Sequence, residues 1–276
     1  MINYNFNYIE SSLKRPGPIT SNTVFYMVIG GGAGGEYSPA YTGNSGQGGE
    51  FITGSVDVLH TTAIDFEVGK GGNGGGGTPS TPIAPTNGET SSLSYTPASL
   101  SLGAAGGLIN VASCPIDPSA GTIGCNGKGP WSIEESSISQ WAFDGGSQNG
   151  ATNGYGGGRN TPTFTDYEYP FTHYNWGSNT TTDGYNFTGA GGGAHDRSGT
   201  PTPGSGDGGG FGGYGMVAFA FFDPREKVDV NITLPSRDGL LEPVSPYTYK
   251  LYNGYRIWYM QRANGAGSFQ ILGNRN

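Results

Sequence analysis

Thr23-Val24-Phe25-Tyr26-Met27-Val28-Ile29 runs directly into Gly30-Gly31-Gly32-Ala33-Gly34-Gly35, and the join between the two halves decides the fold. The first half is β-branched, aromatic and apolar at positions that point to both sides of an extended chain. It therefore reads as a strand placed centrally or against a second layer. The second half carries glycine pairs separated by one residue. The same spacing returns around Asn73, as Gly71-Gly72 and Gly74-Gly75, and around Phe211, as Gly209-Gly210 and Gly212-Gly213. Side chains then recur every third residue, as with Lys70 and Asn73, or Phe211, Tyr214 and Val217. Three residues per turn is the polyproline II repeat, and an all-glycine face lets neighbouring chains approach closely enough to hydrogen-bond. Packed polyglycine helices fit this pattern; so do tight loops between strands.

Working outward, glycine supplies 53 of the 276 residues, while charged and aromatic residues each supply 12%. A disordered chain would be rich in charge and poor in rings, so this composition predicts an ordered chain. Each fixed glycine costs roughly 0.5–1 kcal/mol relative to alanine. Either backbone conformations closed to other residues or unusually close, hydrogen-bonded chain packing must offset that cost.

The remaining patterns are those of an all-β protein. Ile64, Phe66 and Val68 alternate with Asp65 and Glu67, and Ile52, Val56 and Val58 share one face of residues 50–58. Met216 to Phe222 is apolar on both faces, and shorter strands fit Leu93 to Tyr95 and Leu100 to Leu102. The nearest approach to a helical period is Ser132 to Trp141, enough for one or two turns. Texture divides the chain into a polar, aromatic arm (1–18) ending at Pro16-Gly17-Pro18, a glycine-rich β-sandwich body (19–223) and a C-terminal β-meander or hairpin tail (224–276). In the tail, Val228 to Leu234 alternates, two aromatic strands flank Asn253-Gly254, and Phe269 to Leu272 supplies a further strand. Asn-Gly suits a two-residue type I′ turn.

Several function classes are excluded as expectations. A net charge of −8 without basic runs argues against nucleic acid as a partner. The longest apolar runs are too short to span a bilayer, so membrane insertion is not expected, and residues 1–10 lack a secretory pattern. Gly30, Gly32 and Gly35 match a dinucleotide fingerprint, but no helix-forming run follows to hold a pyrophosphate. Gly69-Lys70-Gly71 lacks the Ser or Thr and the helix of a phosphate loop. His60, His173 and His195 have no metal-ligand spacing, and adjacent Glu134 and Glu135 would point to opposite faces of a strand. No G-x-S-x-G elbow fixes a nucleophile. The expectation is a non-enzyme with no cofactor and no metal. Asn179, Asn186 and Asn231 open sequons near chance frequency, and Cys114 and Cys125 form a disulfide only where the compartment allows it.

Residues 141–187 interleave rings with Gly, Ser, Asn and Thr, a mixture like that of binding paratopes. Tyr155, Tyr167, Tyr169, Tyr174, Trp176 and Tyr185 are the candidate contacts to a partner or receptor, since aromatic faces with polar tips suit sugars or protein surfaces. The same rings could instead cover the sandwich.

The order of features resembles a viral glycine-rich domain family found in bacteriophage tail-fibre and adhesin proteins and in virion proteins of large DNA viruses. The resemblance is carried by Phe25 to Gly32, by Gly46-Gln47-Gly48-Gly49-Glu50-Phe51-Ile52, by Phe66 to Gly72 and by Gly212-Gly213-Tyr214-Gly215-Met216-Val217. It implies a β-sandwich or jelly-roll-like domain that assembles on a particle and can touch a host surface. The expected function is accordingly that of a structural virion component (minor capsid, fibre or vertex protein), made in a host cytoplasm and partnered by other virion proteins in a multimeric assembly. The alternative is an adhesin recognising a host-surface glycan or protein. No functional residue is carried over from the family.

Overall fold

The structure, a computed structural model, describes residues 21–37, 46–78, 81–109, 140–141, 171, 212–234, 247–260 and 265–274. In chain order the strands are β1 (Ser21–Ile29), β2 (Glu50–Leu59), β3 (Ala63–Val68), β4 (Gly76–Thr78), β5 (Thr81–Ile83), β6 (Ser91–Tyr95), β7 (Leu100–Ala104), β8 (Gln140–Trp141), β9 (Met216–Phe222), β10 (Val228–Thr233), β11 (Tyr247–Tyr252), β12 (Tyr255–Met260) and β13 (Gly265–Asn274). A single 3-10 turn, Thr96–Ala98, is the only helix among the described residues. The protein is all-β.

Two antiparallel sheets form a sandwich. One has the order β11-β12-β9-β1-β2-β8 and the other β10-β13-β3-β6-β7, while β4 and β5 pair separately. β1 lies at the middle of the larger sheet, which explains its apolar residues on both sides. Val24, Tyr26 and Val28 face the other sheet, and Met27 and Ile29 face outward into a second buried cluster. Between the sheets, Phe219 stacks on Phe269 at 4.6 Å and meets Phe66 edge-on at 5.6 Å. Burying each such ring contributes roughly 1.5–3 kcal/mol. The outer face of the smaller sheet alternates to polar residues, with Asp65, Glu67, Ser94 and Ser101 exposed.

The strands beyond Pro224 are not an appendage. β11 and β12 extend the larger sheet beside β9, and β10 and β13 extend the smaller sheet beside β3. The change of texture at Pro224 marks a change in what the strands lead into, and both sheets continue across it. Asn253 and Gly254 have φ of 48° and 81°, as a type I′ turn requires. Of the stretch expected to hold helical turns, only Gln140 and Trp141 are described, and they pair as a strand with Phe51 and Glu50.

Candidate functional site

At one end of the sandwich, β1, β2, β3, β6, β7 and β9 each join a glycine-containing segment, and these segments pack together. The central one is 30–35. Successive N–H groups along it turn to different neighbours: Gly30 donates to Glu50 O (2.9 Å), Gly31 to Glu89 O (2.9 Å) and Gly32 to Gly213 O (2.9 Å). The next two repeat the cycle, Ala33 to Gln47 O (2.8 Å) and Gly34 to Thr86 O (3.0 Å). Its carbonyls receive N–H groups from still other segments. Gly107 donates to Gly31 O, Gly72 to Gly32 O and Gly75 to Gly35 O, each at 2.8 Å. A helix of three residues per turn produces this rotation of partners, so the described glycine segments are packed polyglycine helices and not loose loops.

The bundle is a continuation of the sheets. The β1–β2 register sets Ser21 against Leu59 and Ile29 against Phe51, and Gly30 with Glu50 and Ala33 with Gln47 prolong it. The β1–β9, β3–β6 and β6–β7 registers run on in the same way, through Gly32 with Gly213, Lys70 with Glu89 and Gly88 with Gly107. What the segments add is bonding across the two layers, as in Gly31 to Glu89, Gly72 to Gly32 and Gly215 to Gly69.

Glycine is required here by proximity. The positive-φ glycines among the described residues are Gly254, Gly265 and Gly273, none of them in the bundle. A Cβ on Gly31, however, would fall closer than 3.0 Å to the Lys70 carbonyl, one on Gly71 would strike the Gly212 carbonyl, and one on Gly212 the Gly32 carbonyl. Of the two explanations for the glycine excess, close backbone approach is the one the structure supports. The side chains that remain are either small and buried, as at Ala33, or turned outward, as at Gln47, Lys70, Asn73, Thr86 and Glu89.

Those outward side chains close the rim. Glu50 donates its N–H to Ala105 O (2.8 Å) and accepts the Ala105 N–H on Oε2 (2.9 Å). Gln47 does the same with Leu108, Glu89 with Lys70 and Thr86 with Asn73. Each pair satisfies an N–H that has reached the surface of the bundle. The sequence signal for this device is a polar residue three positions from another, Gln47 and Glu50 or Thr86 and Glu89, and sequence reasoning missed it. Where bundle meets sandwich, buried Ser91 accepts the Gly69 N–H (2.9 Å) and donates to Ile29 O (2.6 Å), tying the two sheets together.

The dinucleotide reading of Gly30, Gly32 and Gly35 fails on this geometry. The N–H groups of Gly30 and Gly32 are already bonded to neighbouring backbone, and the described residues up to Tyr37 are not helical. His60 bonds Asn22 Oδ1 through Nε2 at 2.8 Å, a structural role. Asn231 is exposed on β10. Tyr155, Tyr167, Tyr169, Tyr174, Trp176 and Tyr185 lie outside the described residues, as do Cys114, Cys125, Asn179, Asn186, His173, His195 and both adjacent glutamates. Of the aromatic stretch, Phe171 is described. It is 3% exposed and packs edge-on against Tyr259 at 6.3 Å, over the outer face of the larger sheet. That ring covers the sandwich.

Sequence reasoning also missed a buried charge cluster. Arg256 is 7% exposed, and its Nη1 donates to Asp223 Oδ2 (2.9 Å) and to Val228 O, while the guanidinium lies 4.9 Å from the Trp258 ring centre. Asp223 also accepts N–H groups from Lys227 and Val228, each at 3.0 Å. Burial pushes the Asp223 carboxyl up, but the two backbone donors and Arg256 outweigh it and hold its pKa below the ordinary value. The Tyr249 hydroxyl interacts with both Arg256 and Glu226, and burial chiefly raises its pKa. Register places Arg256 opposite Phe221, so the clue was its position two residues before Trp258 on an aromatic strand.

A family model described as a glycine-rich domain matches residues 14–220, which takes in the bundle and the strands that form it up to β9. The chain belongs to the glycine-rich domain family. No curated protein and no solved structure matches this glycine-rich domain protein. Among the described residues, no helix is long and apolar enough to cross a membrane, and no cluster of metal-ligating side chains occurs.

Proposed function

We propose that this glycine-rich domain protein is a non-enzymatic structural component of a virus particle, a minor capsid, fibre or vertex protein that works through protein contacts. The observation that carries the reading is the hydrogen-bonding of residues 30–34, where five consecutive N–H groups are donated to neighbouring segments. Such a bundle fixes six strand ends rigidly and leaves its backbone little capacity to bind or orient a small molecule. Rigidity without internal chemistry suits a part that is assembled into something larger. The viral assignment comes from the order of glycine clusters and strands in the sequence, which resembles particle and fibre proteins. In this reading the protein resides in the virion and its partners are other virion proteins.

The test is a particle preparation. Antibody raised against the chain should label purified particles, and peptides from it should co-sediment with capsid proteins at a constant ratio through a density gradient. Sedimentation of the chain away from every particle fraction would overturn the proposal. An adhesin role for Tyr169 and Trp176 is separated by their alanine substitution: loss of host binding with intact assembly would favour it, and failed assembly the structural role.

A further inference from the structure

On one side of the sandwich the two sheets end beside each other. β10 is the outermost described strand of the smaller sheet and β11 of the larger. An open groove runs between them, floored by Val230, Ile232 and Arg256 and bordered by Tyr247, Tyr249 and Glu226. Tyr249 is 39% exposed, and Val230 and Ile232 are only partly buried. Exposed apolar surface between two edge strands is a template for an added chain. Arg256 is neutralised by Asp223, and Glu226 is the one carboxylate among the side chains that line the groove. Glu226 also holds φ at 51°, a conformation that non-glycine residues rarely adopt and that recurs at contact sites.

The chain carries a segment of matching character. Ile2-Asn3-Tyr4-Asn5-Phe6-Asn7-Tyr8 alternates apolar and polar residues without a fault, the period of a strand with one face to bury. Lys14 and Arg15 follow, opposite in sign to Glu226. Between them and β1 stands Pro16-Gly17-Pro18, whose prolines lack the N–H that a strand ladder needs, so the sequence separates the arm from β1. Residues 9–20 can span about 40 Å at roughly 3.3 Å per residue, enough to reach a neighbouring molecule.

We infer that the groove between β10 and β11 receives residues 2–8 of a second copy of this chain. The inference deepens the assembly reading and rests on it, because arm exchange links copies. It is tested on the full chain by replacing Phe6 with photoreactive benzoylphenylalanine, mixing the product with an equal amount of nitrogen-15-labelled wild-type chain, and irradiating. Exchange gives covalent dimers whose light–heavy peptide pairs join position 6 to residues 228–233 or 247–252. Placing Tyr249→Lys in the labelled chain should reduce those pairs about tenfold, the effect of losing one aromatic anchor, whereas Tyr249→Phe, which keeps the ring against Arg256 and Trp258, should leave them unchanged. Pairs that are only light–light within one chain, pairs to another surface, or a yield unmoved by Tyr249→Lys would each overturn the inference. Particle-bound chain without light–heavy pairs sinks the groove alone, and light–heavy pairs from a chain absent from particles sink the particle reading alone.

Discussion

Replacing Gly31 by alanine reads out the bundle through the sign of the effect. Gly31 does not adopt positive φ, so a loop glycine there would tolerate alanine and gain roughly 0.4–1 kcal/mol from a less flexible unfolded chain. In the bundle, the new methyl would meet the Lys70 carbonyl, a backbone atom that cannot swing aside. Segments 30–35 and 69–75 must then part, which costs about 1–3 kcal/mol as overpacking. Parting strains the Gly31 bond to Glu89 O (2.9 Å) and the bond from Gly107 to Gly31 O (2.8 Å). Each buried group left unmatched costs about 1–3 kcal/mol. If one of these bonds fails, and with the entropic gain subtracted, the expected loss is about 1–5 kcal/mol, a large part of the 5–15 kcal/mol typical of a folded domain. At about 2–4 °C per kcal/mol, Tm should fall by roughly 10 °C. Urea unfolding followed by tryptophan fluorescence measures the difference. Gly103→Ala is the internal control, because that glycine is exposed and its nearest obstacle is the Thr90 methyl at 3.2 Å. A Gly31→Ala protein as stable as wild type, or more so, would refute the reasoning.

Three further outcomes are expected. Because the Asp223 pKa is depressed on folding, its contribution to stability is complete above the unfolded value of about 3.9 and is lost as pH falls through the lower, folded value. Asp223→Asn should flatten that acid limb of the stability–pH curve and cost about 3–5 kcal/mol at neutral pH, since it leaves the Arg256 charge buried without its partner. Glu50→Ala should lose about 1 kcal/mol and speed amide exchange at Ala105, whereas Glu50→Gln, which keeps an acceptor oxygen, should exchange like wild type. Gly254→Ala should cost about 1–2 kcal/mol in chemical denaturation, because the turn holds φ at 81°, in the left-handed region that L side chains avoid.

The strands were legible because their physics is local. Ile64, Phe66 and Val68 alternate since one face of β3 is buried, and Asn253-Gly254 marks its turn since both residues need positive φ. The three-residue glycine period was also legible around Asn73. It was less so where Gln47-Gly48-Gly49-Glu50 and Ala104-Ala105-Gly106-Gly107-Leu108 enter the bundle with fewer glycines. Which segment bonds to which is set by the strand registers, and these pair residues as far apart as Gly32 and Gly213. That the tail's strands extend both sheets was not legible, because their neighbours β9 and β3 lie far off in the sequence. The tail's described glycines lie outside the bundle, whose described segments all adjoin other strands. The pairing of Asp223 with Arg256 was invisible for the same reason: it depends on β9 and β12 lying side by side.

A sandwich and a polyglycine bundle have incompatible spacings, and the inward side chains resolve the conflict. Packed sheets stand about 10 Å apart, while hydrogen-bonded chains lie about 4.8 Å apart, so strands of opposite sheets must converge before they can bond. Toward the bundle, the inward residues of β9 and the segment before it pass from Phe221 and Phe219 to Val217 and then Gly215. On β6 they pass from Tyr95 to Leu93 to Ser91, on β7 from Leu100 and Leu102 to Ala104, and on β1 from Tyr26 to Val28 to Gly30. These four strands therefore thin in the same direction, and the core between them narrows to Ser91. There a hydroxyl is small enough for the narrowing gap and polar enough to hold Gly69 N–H and Ile29 O at once. One residue further along, side chains vanish and the backbones bond directly across the layers, as Gly31 does to Glu89. The glycine runs thus begin where the narrowing core ends, which is why each adjoins the end of a strand.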